Sequence, residues 1–225
     1  NINYGGDSTT YWAPEVIEQD GTYHMYLTIV PGIFSDWNHP RHIIHLTSSN
    51  LIDWKLESHI NLASDKVIDA EVVKAPNGKW RMYYNNEKNN KSIYYAESND
   101  LYNWEDKGLA VGNKRGEGPV VFFWKNQYFM IIDSWDGLSV FSSRNMQNWH
   151  LKKENILDKP GCYEDDQVKG GHADVVINNG RAYIFYFTHP GRLEGVNDDN
   201  YETRRSSIQV GELKFVNNQL EIPCH

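Results

Sequence analysis

One pattern of apolar and polar positions recurs four times along the chain. Each unit opens with a short β-branched pair, and the first valine of each pair recurs at intervals of 56, 48 and 55 residues, at Val16, Val72, Val120 and Val175. A turn and then an aromatic-rich segment follow, as in Trp80-Arg81-Met82-Tyr83-Tyr84. Because no apolar stripe of period 3.6 reaches the length of a helix, the pattern predicts strands joined by hairpins.

The turns and the unit ends carry the clearest local signals. Three of the four turns are of the Asp-Gly or Asn-Gly type that closes a tight hairpin, and the four are Asp20-Gly21, Asn77-Gly78, Lys125-Asn126 and Asn179-Gly180. The first three units end in a shared tail that carries Trp54, Trp104 and Trp149. We expect these tryptophans to lie in the core, at the seams between units, and not to act as platforms for sugars.

Strand-rich units that repeat every 48 to 56 residues are typical of β-propeller blades. A four-stranded blade does not bury both of its faces alone, so blades stack around an axis. We therefore predict an all-β fold, a β-propeller of four-stranded antiparallel blades. The four visible blades are expected at about residues 11–62, 67–111, 115–157 and 170–223 of a single domain, 1–225.

Composition narrows the function classes. The 225 residues include 22 basic and 30 acidic side chains, which gives a net charge of −8, and no basic run is present, so nucleic acid is not an expected partner. Apolar stretches such as Val120–Trp124 are far shorter than the roughly 20 residues that span a bilayer, so membrane insertion is not expected either. Nothing in the sequence predicts an oligomeric state.

Four residues hold equivalent places at the starts of the predicted innermost strands, three positions before the first valine of each unit. They are Ala13, Asp69, Glu117 and His172. Propellers bring such positions together around a central channel, so three ionisable side chains of different kinds are expected at one polar pocket. A purely structural alternative is that the two carboxylates satisfy nearby backbone donors and that His172 caps a blade.

The two carboxylates of this column match the needs of glycoside hydrolysis, in which one carboxylic acid protonates the leaving oxygen. Glu117 stands between Gly116 and Gly118, which allow a ligand to approach the backbone closely, so it is the candidate general acid. Asp69 is then expected to orient Glu117 and to oppose its ionisation by like charge. His172 is the candidate metal residue, and because a lone histidine is a poor zinc site, any cation would be calcium-like.

Further side chains are candidates for binding sugar. Glu15 and Glu71 lie two positions past the column, Trp12 and Trp135 offer aromatic faces, and the others lie near strand ends or in loops of the later units. The complete set is Trp12, Glu15, Glu71, Asp133, Trp135, His189 and Arg205. A second group, His39, Arg41, His42 and His45, is expected on the solvated surface because its spacing does not fit a metal site.

Four motifs in this order resemble a known family. Tyr11-Trp12-Ala13-Pro14-Glu15-Val16, Val67-Ile68-Asp69-Ala70, Gly116-Glu117-Gly118-Pro119 and Gly171-His172-Ala173-Asp174 resemble the successive blade motifs of the five-bladed propeller enzymes of glycoside hydrolase family 43. The resemblance implies inverting hydrolysis of arabinofuranosides or xylosides in a carbohydrate substrate. It also implies that Glu117 is the general acid, Asp69 the pKa-modulating carboxylate and His172 an axial residue near a structural calcium, with no required cofactor.

One departure from the family concerns the general base. The family's base is an aspartate in a blade that precedes the Trp-Ala-Pro motif, and Asp7 lacks the expected Asp-Pro context. We therefore expect the chain to be part of a five-bladed protein whose first blade lies upstream. An exported enzyme, secreted or periplasmic, is expected from its polysaccharide substrate, although no signal segment is visible. Cys162 and Cys224 have no motif spacing from which to infer a pairing.

Two other functions compete with hydrolysis. The first is a non-catalytic carbohydrate-binding propeller that kept the pocket and lost the base. The second is a protein-interaction propeller of the WD or kelch type, which fits less well because those scaffolds need no ionisable column and their signature dipeptides do not recur here.

Overall fold

The computed structural model describes residues 8–223, which form four antiparallel sheets of four strands each. The first sheet holds β1 (Thr9–Gln19), β2 (Thr22–Pro31), β3 (His42–Ser48) and β4 (Lys55–His59), and the second holds β5 (Val67–Lys74), β6 (Trp80–Asn86), β7 (Ser92–Ser98) and β8 (Trp104–Val111). The third holds β9 (Glu117–Trp124), β10 (Gln127–Asp133), β11 (Leu138–Ser143) and β12 (His150–Leu151), and the fourth holds β13 (Gly171–Asn178), β14 (Arg181–Thr188), β15 (Ser207–Val216) and β16 (Gln219–Glu221).

Helix is confined, within residues 8–223, to two short pieces, a 3-10 turn at Glu164–Asp166 and α1 at Tyr201–Arg204. Within each sheet the strands follow one another in chain order, which is the meander of a propeller blade. The predicted all-β propeller fold with four-stranded blades is therefore confirmed. No helix in this described part of the chain is long and apolar enough to cross a membrane.

The chain divides after Pro119 into two compact units, and the prediction of a single domain stays a prediction. The first unit contains the first two blades together with the start of β9, and the second contains the rest of the third blade and the fourth.

The hairpin turns follow their sequence signals with one difference. Both residues of Asp20-Gly21, Lys125-Asn126 and Asn179-Gly180 have positive φ, as a two-residue turn that matches the twist of its strands requires. In Asn77-Gly78 only the glycine has positive φ, and its N–H donates to the carbonyl of Ala75, which makes a longer loop. An Asn-Gly pair thus identified this hairpin without determining its turn type.

The core of the first unit lies between its two blades. The Tyr26 ring meets the Trp104 ring edge-on, with ring centres 5.5 Å apart, and the Tyr26 hydroxyl donates to the carbonyl of Leu101 at 2.8 Å. Val67, Ala70 and their neighbours from the second blade complete this apolar cluster. Trp104 therefore packs at the seam between blades, as its place in the unit predicted.

The core of the second unit lies between the third and fourth blades. Phe129, Ile131 and Ile184 are among its fully buried residues. The indole N–H of Trp124 on β9 donates to the carbonyl of Gly180 at 2.9 Å, so the two blades share a hydrogen bond as well as an apolar interface.

Two histidines of the first blade are buried in that blade. His24 on β2 and His45 on β3 stack with ring centres 5.1 Å apart, and a hydrogen bond of 2.9 Å joins Nδ1 of His24 to Nε2 of His45. Because His45 lies beneath the Tyr26 ring, it is completely buried, and its predicted place on the solvated surface was wrong.

Candidate active site

Each innermost strand carries one residue with a positive φ near its start. These residues are Ala13 (37°), Asp69 (58°), Gly118 (53°) and His172 (37°). In β1, β5 and β13 the pairing with the next strand shifts by one residue at the same place, which marks a β-bulge. The column that the valine spacing predicted therefore coincides with a repeated backbone feature of the blades.

The third blade departs from that column by one residue. There the positive φ falls on Gly118, so Glu117 lies one position before the backbone equivalent of Asp69. Val121, not Val120, is then the counterpart of Val72, because three residues separate Gly118 from Val121 just as they separate Asp69 from Val72. The alignment of this unit by its first valine was wrong, although it still selected Glu117.

Non-glycine residues with positive φ mark places where the backbone is strained. A non-glycine residue in this region costs roughly 1–3 kcal/mol, and such residues cluster at functional sites, where the surrounding structure holds them in place. Ala13, Asp69 and His172 all adopt it at the same point of their blades. The strain thus points to this end of the innermost strands as the functional end.

A second polar column runs along the second strands of the blades and was not predicted as a set. Its members each lie five residues after the first aromatic residue of the second strand, and they are Thr28, Asn85, Asp133 and Thr188. All four are buried. Four polar residues at one repeated place in otherwise apolar strands were the signal that could have revealed them.

The first two members of this polar column bind backbone groups next to the candidate carboxylates. The Thr28 hydroxyl accepts the N–H of Asp69 at 3.1 Å, and the Asn85 amide donates to the carbonyl of Gly116 at 2.6 Å. Buried polar side chains need such partners, so these contacts fix the backbone on which Asp69 and Glu117 stand.

Asp69 and Glu117 are brought together through the peptide that joins Glu117 to Gly118. Asp69 is 5% exposed, and its Oδ2 accepts the N–H of Gly118 at 3.0 Å. Glu117 keeps about a quarter of its side chain accessible. One carboxylate is therefore held against the backbone while the other remains open to a ligand.

An alternating chain of charges runs from Glu117 to a buried arginine. Lys91 Nζ lies 3.3 Å from Oε2 of Glu117 and 2.7 Å from Oε1 of Glu87, and Oε2 of Glu87 lies 2.7 Å from Nε of Arg41. The backbone carbonyl of Lys91 also accepts the N–H of Gly116 at 3.1 Å, so the lysine is fixed to the segment that carries Glu117. The sequence analysis missed Lys91 and Glu87 because the loop that carries them does not repeat in other units.

The charge of Lys91 is secured by its two acidic neighbours. Burial lowers the pKa of Lys91, but the hydrogen bond to Glu87 and the charges of Glu117 and Glu87 outweigh it, so the pKa is raised above its ordinary value. Lys91 therefore presents a permanent ammonium group to Glu117.

Arg41 is buried, at 3% exposure, and its predicted place on the solvated surface was wrong. The ion pair with Glu87 compensates its charge, and its guanidinium donates to the carbonyl of Trp37. Its guanidinium carbon also lies 5.7 Å from the ring centre of Trp12 and 5.6 Å from that of Trp37. These contacts explain how an arginine next to His39 and His42 lies inside the protein.

An open cleft adjoins Arg41, and we call it the Trp37 cleft. Its walls include Trp12, Gly32, Phe34, Trp37, His39 and Arg41. The rings of Trp12 and Trp37 lie 5.8 Å apart at an angle of 57°. Trp12 was predicted to bind sugar, whereas Trp37 was not identified because it lies in the segment between β2 and β3, where the units do not match.

The second unit groups three of the predicted residues, because the carboxylate of Asp133 binds the backbone of His172 and of Trp135. Oδ2 of Asp133 accepts the N–H of His172 at 3.0 Å, and Oδ1 accepts the N–H of Trp135 at 2.8 Å. A Cβ on Gly171 would lie 2.8 Å from Oδ2, so the approach of this carboxylate requires glycine there. Asp133 thus holds the backbone of His172 and Trp135, and its predicted contact with sugar stays a prediction.

His189 and Arg205 form a separate group in the second unit. The ring Nδ1 of His189 lies 3.0 Å from the carbonyl of Arg205. The guanidinium of Arg205 binds both oxygens of Asp165, at 2.9 and 3.0 Å, and reaches Glu202 at 3.3 Å. Because these acids occupy the guanidinium, Arg205 anchors loops in this structure, and its role in binding sugar stays a prediction.

Glu15 and Glu71 are affected by the bulges. Glu15 pairs with Tyr26 and Trp12 with Thr28, so Glu15 shares a face with Trp12 although three residues separate them. Glu71 is displaced in the same way, because the pairing of β5 with β6 shifts between Ile68 and Glu71. Alternation therefore does not place these glutamates on the side of the column, and their role in binding sugar stays a prediction.

The structure offers little to a metal ion in the part of the chain that it describes. Among residues 8–223, no three side chains of His, Cys, Asp or Glu are grouped so that they could hold one. The calcium near His172 stays a prediction without a set of protein ligands, and no step proposed below uses it. Asp7, which lacks the sequence context of the family's base, and Cys224 lie outside the described residues.

Comparison with known proteins places these observations in context. No family model matches the chain. A fructan β-fructosidase of Streptococcus mutans is 23% identical over 235 residues, an alignment that covers 91% of this chain. The chain spans only 16% of the length of that curated relative.

Solved structures match the fold closely. A thermostable family-43 glycoside hydrolase superposes with a TM-score of 0.71 at 18% identity, over 95% of this chain and 74% of its own. A family-43 β-xylosidase/α-arabinofuranosidase from a compost microbial metagenome, solved with xylotriose, superposes with a TM-score of 0.66 at 18% identity, over 94% of this chain and 73% of its own. The chain therefore has the propeller fold of the family-43 glycoside hydrolases, as its blade motifs predicted.

Proposed function

We propose that this chain is part of a glycoside hydrolase that cleaves arabinofuranosyl- or xylosyl-type linkages, and that it supplies the general acid of that reaction. The observation that carries the proposal is the contact between Asp69 and the Glu117–Gly118 peptide at the strained ends of two innermost strands. A buried carboxylate beside an accessible one is the arrangement that acid catalysis on a glycoside needs. The family-43 fold and the order of the motifs support the same reaction.

Glu117 acts as the general acid in this mechanism. Its carboxylic acid donates a proton to the glycosidic oxygen while the bond from that oxygen to the anomeric carbon breaks, so the leaving group departs as a neutral alcohol. Asp69, held by the Gly118 N–H, keeps the acid oriented and opposes its ionisation before the reaction.

Lys91 acts after the proton has left. Glu117 is then a carboxylate, and the Lys91 ammonium 3.3 Å away stabilises the new negative charge. Before proton transfer, the positive charge of Lys91 therefore acts on Glu117 in the opposite sense to the negative charge of Asp69. After proton transfer, Lys91 stabilises the Glu117 carboxylate. We assign Lys91 as a positioning residue because it acts through Glu117 and not on the reacting atoms of the substrate.

A water molecule completes the reaction by attacking the anomeric carbon from the opposite face and giving its proton to a second carboxylate. Inversion, which the family resemblance implies, requires about 6.5–9.5 Å between the two carboxyl groups. We assign no base among residues 8–223, since the family resemblance implies an aspartate from a blade that precedes the Trp-Ala-Pro motif.

The substrate class follows from the fold family together with the site. The related β-xylosidase/α-arabinofuranosidase was solved with xylotriose, which makes short xylose and arabinose oligosaccharides the first substrates to examine. Glycans of this kind lie outside the cell, and for that reason we propose a secreted or periplasmic enzyme.

The kcat of the full chain on xylobiose and arabinobiose tests this proposal, because their sugar leaving groups need a proton. The substrates 4-nitrophenyl α-L-arabinofuranoside and 4-nitrophenyl β-D-xyloside serve for comparison, because nitrophenolate leaves with little help from an acid. Glu117→Gln, which keeps the shape and loses the acid, is expected to lower kcat at least about 100-fold while calorimetry still detects sugar binding. Glu105→Gln on the outer strand β8 is the matched control and is expected to behave as wild type. Unchanged turnover in Glu117→Gln overturns the assignment, and binding without turnover in the wild type identifies a carbohydrate-binding propeller instead.

A further inference from the structure

We infer that the Trp37 cleft is a second sugar subsite, in which the exposed indole of Trp37 stacks on a neutral sugar ring of an oligosaccharide whose scissile bond lies at Glu117. The inference rests on the proposed function and extends it from a single sugar to a chain of several. Neither Trp37 nor its loop belongs to any of the repeated blade motifs.

The first observation is that Trp37 is exposed yet held in place. Trp37 is 75% exposed, so its indole face is accessible to a ligand. The Arg41 guanidinium donates to its backbone carbonyl, and the Trp12 and Arg41 groups lie beside its ring. An aromatic face fixed in this way binds a ligand with little loss of conformational entropy.

The second observation is that ring packing and a hydrogen bond fix the conformation of the loop around Trp37. Gly32 has a φ of 139°, and the Phe34 ring lies so close that a Cβ at Gly32 would be 2.4 Å from it. The Phe34 ring in turn stacks on His39, with ring centres 3.4 Å apart. Oδ1 of Asp36 accepts the N–H of Asn38 at 2.8 Å, which closes the turn that carries Trp37.

The third observation is that contacts connect the cleft to both candidate carboxylates. Trp12 pairs with Thr28, whose hydroxyl accepts the N–H of Asp69. On the other side, Arg41 is joined to Glu117 through Glu87 and Lys91. Residues of the cleft wall are therefore linked by contacts to both candidate carboxylates, as we expect for a second subsite on the same oligosaccharide.

The charges of the cleft select a neutral ligand. Glu87 compensates the positive charge that Arg41 brings to the cleft wall, so this guanidinium is not available to bind an anion. Asp36 on the rim is largely exposed and repels acidic sugars. The C–H face of an uncharged pyranose or furanose fits an indole, which combines a large apolar face with one polar N–H group.

Kinetics on two substrate lengths test the inference. The full chain and Trp37→Ala are compared on the two 4-nitrophenyl glycosides, which carry one sugar, and on xylotriose and arabinotriose, which carry three. The ratio of kcat/KM for the trisaccharide to kcat/KM for the aryl glycoside is expected to fall about tenfold in Trp37→Ala, through KM. Trp37→Phe is expected to retain most of the ratio because it keeps an aromatic face.

Ile52→Ala supplies the matched control, since Ile52 is an apolar residue of similar exposure, 69%, outside the cleft. An unchanged ratio in Trp37→Ala overturns the subsite while leaving the hydrolase proposal intact. If the wild type hydrolyses nothing, calorimetry with the same trisaccharides decides: weaker binding by Trp37→Ala supports the subsite although the proposed function fails, and no binding by the wild type overturns both.

Discussion

The Oδ2 atom of Asp69 accepts the backbone N–H of Gly118 at 3.0 Å, and this bond joins the second blade to the residue that follows Glu117. Asp69 has positive φ on β5 and Gly118 has positive φ on β9, so the bond connects two positions of positive φ. The Asp69 side chain thus fixes the backbone beside the candidate general acid, and its charge is what the proposed mechanism adds to that role.

Two substitutions of Asp69 separate these roles. Asp69→Asn keeps an oxygen that can accept the Gly118 N–H but removes the negative charge, so we expect a large loss of kcat with little loss of stability. Asp69→Ala also leaves a buried N–H without its acceptor, which costs about 1–3 kcal/mol in the free energy of unfolding. Urea unfolding and kcat on the disaccharides measure the two effects, and equal stability of the Ala and Asn variants would contradict the structural part.

Lys91 provides a second prediction, on the rate of hydrolysis. Its ammonium nitrogen lies 3.3 Å from Oε2 of Glu117, so it stabilises the carboxylate that remains after Glu117 has given up its proton. Lys91→Met is therefore expected to lower kcat about tenfold, because that carboxylate loses its cationic partner. Lys91→Arg keeps the charge and is expected to retain most of the activity. Equal kcat in wild type and Lys91→Met, with both folded, would rule out a role for this ion pair.

The blades and much of the column were predictable because they repeat. A bulge at one place in successive blades imposes the same spacing on each unit, so Asp69 and His172 stood out from valine spacing alone. Glu117 was selected although its unit was misaligned by one residue, since positive φ at Gly118 leaves no mark in the spacing of apolar residues.

The parts that do not repeat were not predictable in this way. Arg41, Glu87 and Lys91 come from segments that do not repeat. Only folding brings each charge within 3.3 Å of the next in the order Arg41, Glu87, Lys91 and Glu117. Arg41 was predicted to lie on the surface. The adjacent histidines and proline indicate a loop, but they do not reveal the ion pair that allows an arginine to be buried.

Asp133 is predicted to behave differently from Asp69 when it is replaced by asparagine. Both of its oxygens accept backbone N–H groups, from His172 and Trp135, and an asparagine has only one oxygen to offer. Asp133→Asn is therefore expected to lose about 1–3 kcal/mol of stability in urea unfolding.

The control for Asp133 is Asp136→Asn, which removes an exposed ion pair with Lys169 and is expected to cost less than about 1 kcal/mol. If Asp133→Asn unfolds at the wild-type urea concentration, the two backbone bonds do not hold the bulge at His172.

The buried pair of His24 and His45 predicts how stability depends on pH. Burial, and then the neighbouring His24, lower the pKa of His45 to about 4, against an ordinary value of 6.5, while Glu57 and Asp100 oppose the change. Burial likewise lowers the pKa of His24. Between pH 4 and pH 6.5, His45 binds a proton in the unfolded chain but not in the folded protein. The contribution of His45 to the free energy of unfolding is therefore fully present above pH 6.5 and is lost as the pH falls towards 4.

The loss attributable to His45 is up to about 3 kcal/mol, because a difference of one between the folded and unfolded pKa values corresponds to about 1.4 kcal/mol. Urea unfolding at pH 7, 5.5 and 4.5 measures it as the difference in pH dependence between wild type and His45→Gln, since acidic groups contribute equally to both proteins. Removal of the exposed His150 by His150→Gln is expected to leave the wild-type dependence unchanged. Parallel curves for wild type and His45→Gln would show that the buried pair does not titrate with unfolding, whatever the absolute stability of the variant.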